Sequence, residues 1–173
     1  MFLNKRYAQA SVAFLRAGRY REATICDAYL LREKARLTTE TTASAARVWA
    51  FTTAANAFIA CAQNSPSKLV KERLAYYGTA GECYLEARDL KNAGDSYLNA
   101  EQYAAAARAY REGEDFDKMV GVITRHGNAI DSDLLERLTT DAQKHYFKVY
   151  FNGRLVSRCL ILFDLVSEYW VGT

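Results

Sequence analysis

The chain has 173 residues, of which half are hydrophobic and a quarter charged, and it carries a net charge of +3. That much apolar material supports a continuous core and excludes a disordered chain, while so mild a charge excludes the concentrated positive field of a dedicated nucleic-acid binder. A single proline, Pro66, and abundant alanine favour helix, because Ala loses no side-chain entropy there and Pro blocks the backbone ladder; with no alternating β-branched runs, the fold class is all-α.

In chain order, a first helix is predicted from about Asn4 to Ala17 and a second from Tyr20 to Leu37. The threonine-rich stretch Thr38 to Thr42 reads as a linker or as a cap for the third helix. That helix is long and covers Ala43 to Gln63, with Val48, Phe51, Ala55, Phe58 and Ala62 recurring at the helical period. Asn64-Ser65-Pro66-Ser67 breaks it, and the next helix spans Ser67 to Ala87. Three short helices come after it at 90–100, 103–112 and 116–126, the last ending at His126-Gly127 with the glycine as C-cap. Asp131 or Ser132 caps a helix from Asp133 to Phe147. Asn152-Gly153 signals a turn, and Leu155 to Trp170 reads as a further amphipathic helix.

The middle of the chain contains an internal repeat. Tyr84, Tyr97 and Tyr110 are spaced 13 residues apart. A small residue follows each by three positions (Ala87, Ala100, Gly113), then a large one (Leu90, Tyr103, Phe116), then Ala93, Ala106 and Met119. Phe14, Ala17, Tyr20 and Ala23 fill the same four slots upstream. The aromatic falls late in one helix on its buried side. The small residue lets the chain turn closely, and the large residue plugs the start of the next helix. Helices this short cannot bury their apolar faces alone, so neighbours must stack. Two such units give a helical hairpin shorter than the roughly 34 residues of the standard tetratricopeptide repeat. The reading is a tetratricopeptide-like helical-repeat solenoid of antiparallel helix pairs. It is one repeat domain over 1–173, with long helices in 1–63, the short repeats in 67–126 and C-terminal helices in 131–173.

The chemistry of the sequence is sparse. It contains no GxxxxGK[ST] loop to cradle a phosphate, no GxGxxG, no GxSxG, no HExxH and no EF-hand loop. No enzymatic activity, metal or cofactor is expected. His126 stands at a predicted helix end, where a cation suits the dipole, and His145 lies between Lys144 and Tyr146; both read as structural or surface residues. Glu112, Glu114, Asp115 and Asp117 cluster, but mostly at a repeat corner. Cys26, Cys61, Cys83 and Cys159 include no CxxC pair and sit among apolar neighbours, so they read as buried reduced thiols, as in a cytoplasmic or nuclear protein. The N-terminus lacks the apolar core of a signal peptide, and no apolar stretch reaches the roughly 18 residues of a membrane span.

Twelve tyrosines supply rings with a polar tip, suited to packing and to recognition. Tyr84, Tyr97 and Tyr110 belong to the repeat. Tyr29, Tyr76, Tyr77 and Tyr169 occupy no repeat slot, and Tyr29, Tyr76 and Tyr77 are candidate partner-binding residues. At the end of the chain Leu160, Phe163, Val166 and Trp170 fall on one side of a helix. Arrays usually close with a polar capping helix, so Phe163, Val166 and Trp170 are candidates for partner contact or self-association. The expected partner is a protein, with no membrane role.

Two stretches carry a family resemblance. One is Phe14 to Ala23 followed by Ala28-Tyr29-Leu30-Leu31-Arg32-Glu33-Lys34-Ala35-Arg36; the other is Ala80 to Met119 followed by Leu134 to Leu138 and Tyr146-Phe147. Together they resemble the helical-repeat region of large fungal TPR and ankyrin repeat-containing proteins, which carry a UvrD-like helicase ATPase core upstream. The resemblance implies a tetratricopeptide-like arm and not the motor, whose motifs are missing from this sequence. Leu160 to Trp170 begins like the family's continuation and then stops, which suggests a fragment of a larger array, a truncated gene model or a stack completed by a partner. The alternative function it implies is an accessory arm of a superfamily 1 helicase, with nucleic acid engaged only through a larger parent protein. Lys68, Lys71 and Arg73, with Lys144, Lys148, Arg154 and Arg158, are the basic residues available to such a role.

Overall fold

The computed structural model describes residues 2–37 and 45–151; the predicted helix over Leu155 to Trp170, the Asn152-Gly153 turn and the Thr38 to Thr42 linker lie outside them. The described residues are all-helical, without strand. The helices are α1 (Phe2–Arg16), α2 (Tyr20–Arg36), α3 (Ala45–Gln63), α4 (Val70–Glu86), α5 (Leu90–Asn99), α6 (Tyr103–Glu112), α7 (Phe116–His126) and α8 (Ser132–Phe151). Each packs chiefly on its neighbours in the chain. The α3 stripe behaves as its period predicts for Phe51, Ala55, Phe58 and Ala62, which are buried, whereas Val48 is only partly so.

The 13-residue unit proves to be a repeated chain reversal with one hydrogen-bond pattern. At each corner the carbonyl of the repeat aromatic accepts from the amide five residues on. Arg19 N–H reaches Phe14 at 2.8 Å; Asp89, Gln102 and Asp115 reach Tyr84, Tyr97 and Tyr110, each at 2.9 Å. The amide one residue earlier closes a tighter bond, such as Arg88 to Leu85 at 3.0 Å and Glu114 to Arg111 at 3.1 Å. This pair of bonds satisfies the last orphan carbonyls of a helix and requires a left-handed residue between cap and exit. Gly18 fills that position at φ +71°, but Arg88, Glu101 and Glu114 fill it at +59°, +58° and +56°. The small residues Ala87, Ala100 and Gly113 are therefore the C-caps, and the residue after each makes the turn. Asp89 and Asp115 then cap the following helices, accepting from the amides of Asn92 and Lys118 at 3.2 Å. Gly127 does not cap α7 in this way. Its φ of −58° keeps it right-handed, and the chain runs on into a 3₁₀ turn, Gly127–Ala129.

Consecutive short helices meet ring against glycine. A Cβ on Gly81 of α4 would lie 2.8 Å from the Tyr97 ring of α5, and one on Gly94 of α5 would lie 2.4 Å from the Tyr110 ring of α6. Each tyrosine thus lies flat on a bare patch of the preceding helix, 16 positions earlier in both cases. Two of the repeat tyrosines also bond through their hydroxyls. Tyr84 donates to Asn56 of α3 and Tyr110 to Asp95 of α5, both at 2.6 Å.

Ion pairs link alternate helices across the one between them. Arg21 of α2 meets Glu72 of α4 at 2.6 Å, Lys118 of α7 meets Asp95 of α5 at 2.5 Å, and Arg111 of α6 meets Asp141 of α8 at 2.6 Å.

Candidate functional site

The sequence-predicted tyrosines do not all face outward. Tyr76 is 7% exposed and belongs to the core, and Tyr77 is half-buried against that core. As a free contact ring Tyr76 is ruled out, because α4 turns it inward between α2 and α3. Tyr29 is half-buried in an aromatic and cationic cluster. It stacks on Tyr7 of α1 at 5.4 Å and meets Phe58 of α3 edge-on at 5.0 Å. The Arg32 guanidinium covers both rings, 5.2 Å from Tyr29 and 5.8 Å from Phe58. Burial raises the Tyr29 and Tyr76 hydroxyls above their ordinary pKa. Both stay neutral and keep their donors. Arg32 lies 3.7 Å from Glu33 and 3.8 Å from Glu82, ion pairs too long for hydrogen bonds, and its buried Nε has no hydrogen-bond partner. Phe163, Val166 and Trp170 lie outside the described residues.

The polar candidates are absorbed into packing. His126 stacks on Tyr103 at 3.9 Å and His145 on Phe116 at 4.0 Å, so two large corner residues of the repeat are each closed by an imidazole of the next helix. Of the carboxylate cluster, Glu112 pairs with Arg88, Asp115 caps α7 and Asp117 accepts from the Tyr146 hydroxyl. Cys61 and Cys83 are buried, and burial pushes the Cys83 thiol up to about 12. Among the described residues no group of His, Cys, Asp and Glu is arranged to hold a metal ion, and no helix is long and apolar enough to cross a membrane.

What remains open are exposed apolar side chains on the first three helices and the corners that follow them. Trp49 is 71% exposed, Tyr20 69%, Leu37 56%, Val12 48% and Leu15 47%. Only Val70 and Phe147 join them from the rest of the described chain. Tyr20 is telling because it fills the corner slot of the first repeat, the slot where Leu90, Tyr103 and Phe116 are half-buried. Charge is distributed in the same way. Residues 1–49 hold nine Lys and Arg against four Asp and Glu, a net of +5, while residues 50–173 hold 14 against 16, a net of −2.

The chain matches no known family model, no curated protein and no solved structure. Periodicity does mark Trp49, which falls on the far side of α3 from the stripe that begins at Val48, although the tyrosines and the chain end drew the sequence-based expectation elsewhere. Val12 and Leu15 were hidden because they neighbour Phe14, and any one of the three could have been the buried member.

Proposed function

We propose that this chain is a protein-interaction scaffold built from tetratricopeptide-like helical repeats, acting by contact and without catalysis of its own. The observation that supports this reading is the concentration of exposed large apolar side chains on α1 to α3. Five such residues lie between Val12 and Trp49, in the part of the chain that is also positively charged. Exposed apolar groups rimmed by charge mark contact surfaces, and tryptophan and tyrosine are enriched at interface centres. The repeated corners, each closed by the same pair of backbone hydrogen bonds, fit a helical array that holds such a surface in place.

The test is site-specific photocrosslinking in the native cell. A crosslinking side chain in place of Trp49 or Tyr20 is expected to yield discrete adducts of the same protein, and one in place of exposed Arg137 none. Loss of adducts at both positions, or one common pattern at all three, overturns the reading.

A further inference from the structure

The corner joining α1 to α2 combines exposed apolar side chains with basic ones. Val12 and Leu15 are three residues apart and Arg16 is four beyond Val12, so all three share one side of α1. Tyr20 opens α2 immediately across the corner and is the most exposed of the repeat's corner residues. These apolar groups lie within nine positions of the chain.

Charge separates this corner from the surfaces around it. The sequence of α1 holds Lys5, Arg6 and Arg16 and no Asp or Glu. Further along, the arginines are matched: Arg19 pairs with Glu22, Arg21 with Glu72, Arg36 with Glu33 and Arg47 with Glu86. Arg6 and Arg16 are exposed and make no ion pair with a described residue. At Arg16 the α1 surface is thus apolar and positive, with no described carboxylate paired to it.

We propose that the α1–α2 corner docks an acidic amphipathic helix from a protein partner. The partner sets an apolar stripe on Val12, Leu15 and Tyr20 and carboxylates on Arg16. This rests on the scaffold reading and names the class of partner. A helix suits the site because neighbouring elements of this molecule already pack as helix beside helix, and an i, i+3, i+4 stripe fits the ridges of another helix. Complementary charge adds steering and orientation, and Arg reads carboxylates with two parallel donors. An anionic membrane fits less well. The strongest apolar side of α1, with Phe14 and Tyr7 partly buried, is already turned toward α2, which leaves little to insert into lipid.

The experiment measures fluorescence anisotropy with the full chain and two labelled peptides of about five helical turns. Both carry the same leucine stripe, flanked by Glu in one and by Lys in the other. The Glu peptide is expected to bind, and the Lys peptide to bind at least about ten-fold more weakly. Leu15→Asp and, separately, Arg16→Glu should each cost about ten-fold or more, while Arg137→Ala, at an exposed position of α8, leaves binding unchanged. Both altered side chains are exposed, so circular dichroism should show the same melting as wild type. If Leu15→Asp unfolds the chain, Arg16→Glu carries the test alone. The proposal falls if the Glu peptide does not bind, if the two peptides bind equally, or if the substitutions have no effect. It also falls if phosphatidylserine vesicles displace the peptide. A concentration-dependent dimer abolished by Leu15→Asp would show that a second copy covers the corner instead. If the peptides fail while crosslinks at Trp49 persist, the α1 proposal is lost and the scaffold reading survives; if both fail, both are lost.

Discussion

Gly94 and Tyr110 show how single residues set the spacing of the helices. The ring leaves no room for a methyl group, since a Cβ would lie 2.4 Å from it. Alanine has the higher helix propensity by roughly 1 kcal/mol, yet overpacking costs more, roughly 1–3 kcal/mol. Gly94→Ala should therefore lower stability, measured by urea denaturation, despite the gain in propensity; a stabilised variant would show that the ring moves freely. Beside this contact, Asp95 accepts from Tyr110 at 2.6 Å and from Lys118 at 2.5 Å. Burial opposes its charge, but the two hydrogen bonds outweigh that cost and hold its carboxyl below the ordinary value. A carboxylate with a lowered folded pKa contributes stability above the unfolded pKa and loses it as pH falls through the folded one. Asp95→Asn should cost about 1 kcal/mol near neutral pH, given its partial exposure. The difference from wild type should shrink as pH falls below about 4, and a gap that is constant with pH would exclude the ionic role.

At the scale of the element, the corners carry a strain that the sequence could have avoided. Gly18 makes its corner without a Cβ penalty, but Arg88, Glu101 and Glu114 hold the same left-handed conformation, which costs an L-residue roughly 1 kcal/mol or more. Glu101→Gly and Glu114→Gly should each raise stability by about 0.5–1 kcal/mol after the entropy that glycine adds to the unfolded chain. Thermal denaturation of the two variants checks this. A destabilised pair would mean that the glutamate side chains contribute more at the corner than their backbone costs.

At the scale of the whole molecule, stability is assembled from neighbour to neighbour. The largest buried rings, Phe51 and Phe58 of α3 and Tyr110 of α6, lie in inner helices. By contrast α1 exposes Val12 and Leu15 and α8 exposes Phe147. Native-state hydrogen exchange should find the amides of α3 to α6 slowest and those of α1 and α8 fastest, because local opening follows buried contact. Uniform protection from α1 to α8 would instead indicate a single cooperative unit. The ion pairs between alternate helices contribute little to this order, since most of their side chains are a third exposed or more.

The sequence by itself determined the all-helical class, the order of the helices and the place of the corners. These depend on composition, on the 3.6-residue period and on a spacing of 13, which are local properties of the chain. It located the chain reversals but attributed them to a small residue, because a positive φ at Arg88, Glu101 or Glu114 leaves no mark on side-chain identity. Tertiary structure decided which face of each helix is covered. Tyr76 and Tyr20 are both tyrosines on helices, yet one is in the core and the other is 69% exposed. The difference comes from whether another helix packs over that side, and periodicity within one helix carries no information about its neighbour.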